Sequence, residues 1–367
     1  MQKINTPMNR ISTNVLTQSW QDRYIPDFST LSLKENHIDC SKLVELASAQ
    51  GRAKTVIEIR RLLQLKCSFA EIKNNILFSY IPKVVRLTEA LQLARYIQDV
   101  YDRALAVYQQ QPPLSLPTFH SAAQNNLGKT VDFSSDLFKQ WVMPALRLPA
   151  VEKLSVELQP IFAVLREHHK SVNDPRTIGF LSTQFHFSTT LVLHQLNLEE
   201  QLLLSPYFKF VEEQVCIPWQ RVCNAAAKQM PDSPNLTIVQ RLLPVSQEIA
   251  INVHRRAAQL YPNHNSRRGE LNHPGVKASS IRDIEMFQAY LWLCVLEESM
   301  TAVEEELLPL CVMVFPSIDV EWQLVEQILP MLMDEFKMRL NSEQISFLQP
   351  YTQAMQQVFS KPQGLRG

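Results

Sequence analysis

The side chains best placed to do chemistry stand close together at Lys277, Ser280, Arg282 and Asp283, in the run KASSIRDIEMFQAYLWLCVLEES from Lys277 to Ser299. A carboxylate beside a guanidinium can accept hydrogen bonds from N–H donors while the guanidinium clamps a second carboxylate through two parallel bonds. Lys277 adds a compact positive charge at the same end of the run. The same residues also have a plain structural reading. Ser280 and Asp283 are spaced as a capping box, and an acid in the first turn complements the helix dipole. The two readings are compatible, and the cap is the commoner use of such a pattern.

Further positive charge surrounds this run, at Arg255, Arg256, Arg267 and Arg268. It could receive the carboxylates of a ligand or an acidic partner, although a solvated basic face is the more frequent outcome. His254, His264 and His273 lie in the same region, and a single histidine on a helix is more often a core or surface residue than a ligand. The nearest approach to a metal-binding set is REHHK (Arg166–Lys170) with His186, His194, Glu199 and Glu200. It lacks H-E-x-x-H and any repeated E-x-x-H, so no metal site is expected. No nucleophile–base pair stands in a context that supports catalysis, and the chain is read as non-enzymatic. The acidic run LEESMTAVEEELL is expected to be solvated.

The elements that must position these residues are helices. Seven glycines in 367 residues leave few left-handed turns or phosphate-cradling loops, which argues against Walker and Rossmann nucleotide sites. Hydrophobic residues make up 46% and charged residues 20%, enough apolar material for a large core. Thirty-six basic residues balance thirty-six acidic ones, so no net field favours nucleic acid. The six cysteines show no C-x-x-C spacing and several lie in apolar runs, where a thiol acts as a small hydrophobe. No signal core opens the chain, and no apolar run reaches the length of a membrane span. A reduced, cytoplasmic, soluble, all-α protein is expected.

Along the chain, residues 1–38 read as an irregular N-terminal segment and 39–190 as a helical domain of no recognisable type. Ser68 and Glu71 have capping-box spacing, which predicts a helix start there. Leu87, Leu91, Ala94, Ile97, Tyr101 and Leu105 form a single stripe that should end before the prolines of QQQPPLSLP. Later helices are expected around Phe208–Lys228 with a kink at Pro218, from Asn235 to Tyr261 with an interruption at Pro244, from Ile281 to Glu298, from Thr301 to Pro316, and over 319–340 and 342–359.

From about 195 to 360 the order of pieces resembles the phycobiliprotein family, whose globin-like fold carries bilins in light-harvesting antennae. INVHRRAAQLYPN is similar to the helix that ends in an aromatic–proline pair before the family's chromophore loop. Gly275 and Lys277 then precede SIRDI, which resembles the bilin-attachment motif Cys-x-Arg-Asp, and YTQAMQQVF resembles the closing helix. The resemblance implies that Asp283 would face pyrrole nitrogens, that Arg282 would pair with a propionate, and that Lys277 would join the same cofactor-binding set. It also implies protein partners among phycobilisome subunits, self-association, and a place beside the thylakoid antenna. The attachment cysteine is replaced by Ser280, whose hydroxyl cannot supply a thiolate, and no cysteine stands near 340–343. No covalently bound cofactor is therefore expected. The leading expectation is a non-enzymatic phycobilisome-related protein that docks to antenna partners. Two alternatives are a sensor holding a bilin or haem without a covalent bond, and a helical enzyme with its site in residues 160–200.

Overall fold

The computed structural model describes residues 23–26, 37–77, 87–114, 130–149, 151–171, 177–267 and 269–360. The protein is all-α, and its only strands among these residues are two short antiparallel pairs. None of the described helices is long and apolar enough to cross a membrane. The chain forms two compact units. Residues 168–182 and those from 213 onward belong to one; residues 21–167 and 183–212 make up the other.

In the unit built mainly from the N-terminal half, β1 (His37–Asp39) pairs with β2 (Thr130–Asp132), Ile38 opposite Val131. Asp39 then caps α1 (Cys40–Leu46), its carboxylate accepting from the Ser41 and Lys42 amides at 2.8 and 3.1 Å. α2 runs from Ala49 to Leu77 and packs on α3 (Leu87–Gln109). No helix starts at Ser68. Ile59, Leu63, Cys67 and Ala70 continue one buried stripe through that position, and Gln184 ties it down by donating to the Cys67 carbonyl at 3.1 Å. Tertiary packing here overrides a local capping signal. The α3 stripe ends as its prolines require, with Ile97, Tyr101 and Leu105 buried; the earlier stripe positions Leu87, Leu91 and Ala94 lie outside the described side chains.

A π-helical turn, Phe138–Val142, leads through Met143–Ala145 to α4 (Val151–Ser171). α5 (Thr177–Leu193) and α6 (Leu198–Cys216) follow, and their stretch 183–212 completes this core. The Tyr101 hydroxyl donates to the Phe185 carbonyl at 3.1 Å and lies 2.6 Å from the Thr189 hydroxyl. Tyr108 meets Tyr207 edge to face at 5.3 Å. Arg52, although buried, donates to the Ala47 carbonyl and lies 4.6 Å from the Tyr108 ring centroid, so its charge is compensated. The chain passes between the two units at 167–168, 182–183 and 212–213, so residues 183–212 belong with the N-terminal core.

The other unit gathers around one helix. α7 (Trp219–Ala226) is separated from α6 by Ile217 and Pro218, so the expected kink is a full break. Ser233 caps α8 (Pro234–Leu242), and a 3-10 turn at Leu243–Val245 holds Pro244 before α9 (Ser246–Leu260). A hairpin of β3 (Asn265–Ser266) and β4 (Gly269–Glu270) precedes α10 (Pro274–Glu297). Gly269 takes φ +119°, a conformation that side chains rarely adopt. A π-helical turn at Val303–Leu307 runs into α11 (Leu308–Ser317), and α12 (Trp322–Lys337) and α13 (Ser342–Ser360) close the chain. α10 packs on α7, α8, α9 and α13. Every residue from Ile284 to Leu296 is buried, the polar Glu285 and Gln288 included, and Gln288 donates to the Ser246 carbonyl at 3.0 Å.

Candidate functional site

α10 begins seven residues earlier than its sequence suggested. Pro274 occupies the first helical position, where its missing N–H costs nothing, and the Lys277 amide donates to the His273 carbonyl at 2.8 Å to close the first turn. Ser279 turns its hydroxyl back onto the Gly275 carbonyl at 3.0 Å, so this serine is accommodated inside the helix. Ser280 and Asp283 consequently sit in the second and third turns, too far in to cap anything. The capping-box reading is overturned.

Within the helix, Arg282 donates to Asp283 Oδ1 from Nε at 3.3 Å and from Nη2 at 3.1 Å. Both side chains are partly exposed, on the part of α10 that precedes its buried stretch. The Asp283 charge also reaches α11: burial first, and then this carboxylate, push the Cys311 thiol well above its ordinary pKa. Lys277 does not join the pair. At 100° per residue it stands about 140° around the helix from Arg282. Its charge is felt by His254 in α9, whose pKa is lowered by burial first and by Lys277 second. The structure therefore brings Arg282 and Asp283 together and leaves Lys277 beside a histidine.

Two of the four surrounding arginines are matched by acids. Arg256 reaches Asp334 at 2.9 Å and Arg267 reaches Asp319 at 3.3 Å, while the Arg267 amide holds the Ile318 carbonyl. Arg255 is exposed, and the side chain of Arg268 lies outside the described residues. The positive charge is thus partly neutralised. Two buried histidines are exceptions to the general satisfaction of polar groups. His254 Nε2 and both ring nitrogens of His264 have no hydrogen-bond partner among the described residues.

One polar cluster was not legible in the sequence. Arg221 of α7 donates to both oxygens of Glu306 at 2.7 Å, and the buried Tyr290 hydroxyl donates to the same carboxylate at 3.4 Å. Burial works to lower the Arg221 pKa, and the Glu306 charge and hydrogen bonds more than offset it. Burial, and then Glu306, raise Tyr290 well above the usual phenol value. The π-helical turn places Glu306 in this contact, whereas Glu304 and Glu305 stay exposed. The acidic run is thus only partly solvated, a correction to the sequence reading. The sole signal was an acidic triplet ahead of an apolar run, in which nothing distinguished Glu306 from Glu304 and Glu305.

Of the other histidine and acid candidates, His186, Glu199 and Glu200 are engaged structurally, and His194 is exposed. His186 Nδ1 lies 2.9 Å from Glu212 Oε1. Glu199 pairs with Lys42 at 2.6 Å, and Glu200 forms a reciprocal cap with Asn197 while accepting from Thr55 at 2.9 Å. The side chains of Arg166 and His168–Lys170 lie outside the described residues. Among those described, no group of three or more His, Cys, Asp or Glu could hold a metal ion. All six cysteines are free and five are buried. Burial raises the Cys67 thiol to about 11, and it raises Cys223 and Cys294 to about 12. No protein-family model matches the chain, and neither does any curated protein or solved structure.

Proposed function

We propose that the chain is a non-enzymatic docking protein related to the phycobiliproteins, which meets antenna or other photosynthetic partners and carries no covalent bilin. The reading rests on the ordered resemblance over 195–360. It is supported by the Arg282–Asp283 pair, which lies at the end of the partly exposed N-terminal part of α10, just before its buried stretch. A guanidinium in such a place can exchange its internal carboxylate for one on a partner at small cost, because exposed pairs are weakly held. Ser280 supplies no thiolate, so the motif would serve recognition instead of attachment.

Cosedimentation of the purified full chain with isolated phycobilisomes tests this. Binding is expected, and Arg282→Glu should weaken it by about tenfold or more. Failure to cosediment, or binding indifferent to Arg282→Glu, overturns the proposal. A zinc-fluorescent band surviving a denaturing gel after co-expression with bilin synthesis would overturn the absence of a covalent pigment.

A second reading, a sensor for a bilin or haem bound non-covalently, is favoured by the unpartnered nitrogens of His254 and His264. The residues fit a tetrapyrrole in type: imidazole could ligate or hydrogen-bond it, and Lys277 beside His254 could meet a propionate. Titration with haemin and with biliverdin, followed by absorbance, would show a saturable band lost in His254→Leu. Absence of any band removes the sensor reading.

A further inference from the structure

α2 buries one face and leaves a second apolar stripe in the open. Leu65, Phe69, Ile72 and Ile76 are 54, 57, 55 and 68% exposed. Their spacing of four, three and four residues is that of a coiled-coil seam. With Leu65 and Ile72 at d and Phe69 and Ile76 at a, the e positions hold Lys66 and Lys73, and the g positions hold Ser68 and Asn75. The Lys66 ammonium lies 5.8 Å from the Phe69 ring centroid and that of Lys73 lies 5.9 Å from Phe187. Among the described residues neither is paired with a carboxylate. The stripe is distinct from the residues through which α2 meets its own core, and it extends over about 16 Å of helix.

We propose that this stripe is a docking surface for an acidic amphipathic helix of a partner protein. The partner would lay an apolar seam across Leu65, Phe69, Ile72 and Ile76 and set Asp or Glu against Lys66 and Lys73. Charge selects this occupant. A second copy of the chain laid antiparallel would oppose Lys66 to Lys73, and a parallel copy would set the lysines against Ser68 and Asn75 with no attraction. A membrane surface suits a broad apolar face, whereas this stripe is as narrow as a two-helix seam. The surface lies outside the 195–360 stretch that carries the proposed antenna docking, and it is independent of that reading.

The test uses the full chain and a synthetic three-heptad peptide with Leu at a and d and Glu at e and g, whose own acids oppose self-pairing. A matched peptide carries Lys at e and g. Saturable binding of the Glu peptide, about tenfold or more tighter than that of the Lys peptide, is expected. The double variant Phe69→Ser/Ile72→Ser should lose it with helical content unchanged, and Lys66→Glu/Lys73→Glu should reverse the preference. Should the serine variant unfold, the charge-reversed variant decides alone. Binding of neither peptide, equal binding of both, or insensitivity to the charge reversal overturns the proposal. So does either alternative occupant: dimerisation in sedimentation that Phe69→Ser/Ile72→Ser abolishes, or flotation with phosphatidylserine vesicles without peptide binding.

Discussion

α2 and α10, of 29 and 24 residues, use apolar side chains in opposite ways. In α10 every side chain from Ile284 to Leu296 is buried, all but Glu285 and Gln288 apolar or aromatic, and the helix packs on α7, α8, α9 and α13. In α2 the apolar residues divide into two stripes; one is buried, and Leu65, Phe69, Ile72 and Ile76 remain exposed. Similar raw material therefore yields a core in one case and a surface in the other. Angular distribution decides which, because a helix can bury only those faces that meet a neighbour.

The largest expected effect is in the centre of α10. Trp292 is fully buried and lies 5.5 Å from Trp219, so Trp292→Ala should cost about 3–5 kcal/mol in urea unfolding. A loss below about 1 kcal/mol would mean that the enclosure of α10 is loose, and the contrast with α2 would collapse. Next comes the polar contact on the same helix. Arg221→Ala leaves Glu306 and Tyr290 without the guanidinium, at about 1–2 kcal/mol given that the pair is about one quarter exposed. Glu306→Gln in the same background should recover part of that loss, which a purely steric role for Arg221 would not predict.

A single imidazole gives the third effect. The folded-state pKa of His254 lies below its unfolded value near 6.5, so the unfolded chain binds the proton more readily. Stability should be fully present above about pH 6.5 and fall as the pH drops through the folded-state value. His254→Leu should flatten that part of the profile in thermal melts across about pH 5–8; an unchanged slope would assign it to other groups.

Two small effects sharpen the comparison further. Asp283→Ala should change stability by less than about 0.5 kcal/mol, since it removes a partly exposed ion pair and no cap. A loss above about 1 kcal/mol would restore a structural role for this carboxylate. Smallest of all, Phe69→Ser and Ile72→Ser should each lie within about 0.5 kcal/mol of the parent in the same urea titration. A larger cost would mean that the α2 stripe is already covered by the protein itself.

Legibility followed the range of the physics. The helix end at Gln109 and the interruption at Pro244 come from prolines acting on their own backbone and could be placed from sequence; at Pro218 the place was legible but only as a kink, where the structure has a break. The starts inferred at Ser68 and Ser280 failed because a capping box is only a local offer. Cys67 and Ala70 were claimed by the core, and Pro274 began α10 nearly two turns before Ser280. At the site, the Arg282–Asp283 pair was visible because neighbours in sequence are neighbours in space. Lys277 fell on another face of the helix. Arg221 and Glu306, 85 positions apart, gave no sign of each other.

By itself, the sequence determined the helical class, through scarce glycine and sustained helical periodicity, and it determined that Ser280 offers no thiolate for attachment. Those are properties of composition and of single side chains. Only the tertiary structure decided that residues 183–212 complete the core of the N-terminal unit, that Glu306 is paired, that His254 and His264 are buried with unmet nitrogens, and that α2 keeps an apolar stripe exposed. Each depends on which faces of distant helices meet. Burial is a property of pairs of surfaces, and one helix's periodicity specifies only one member of the pair.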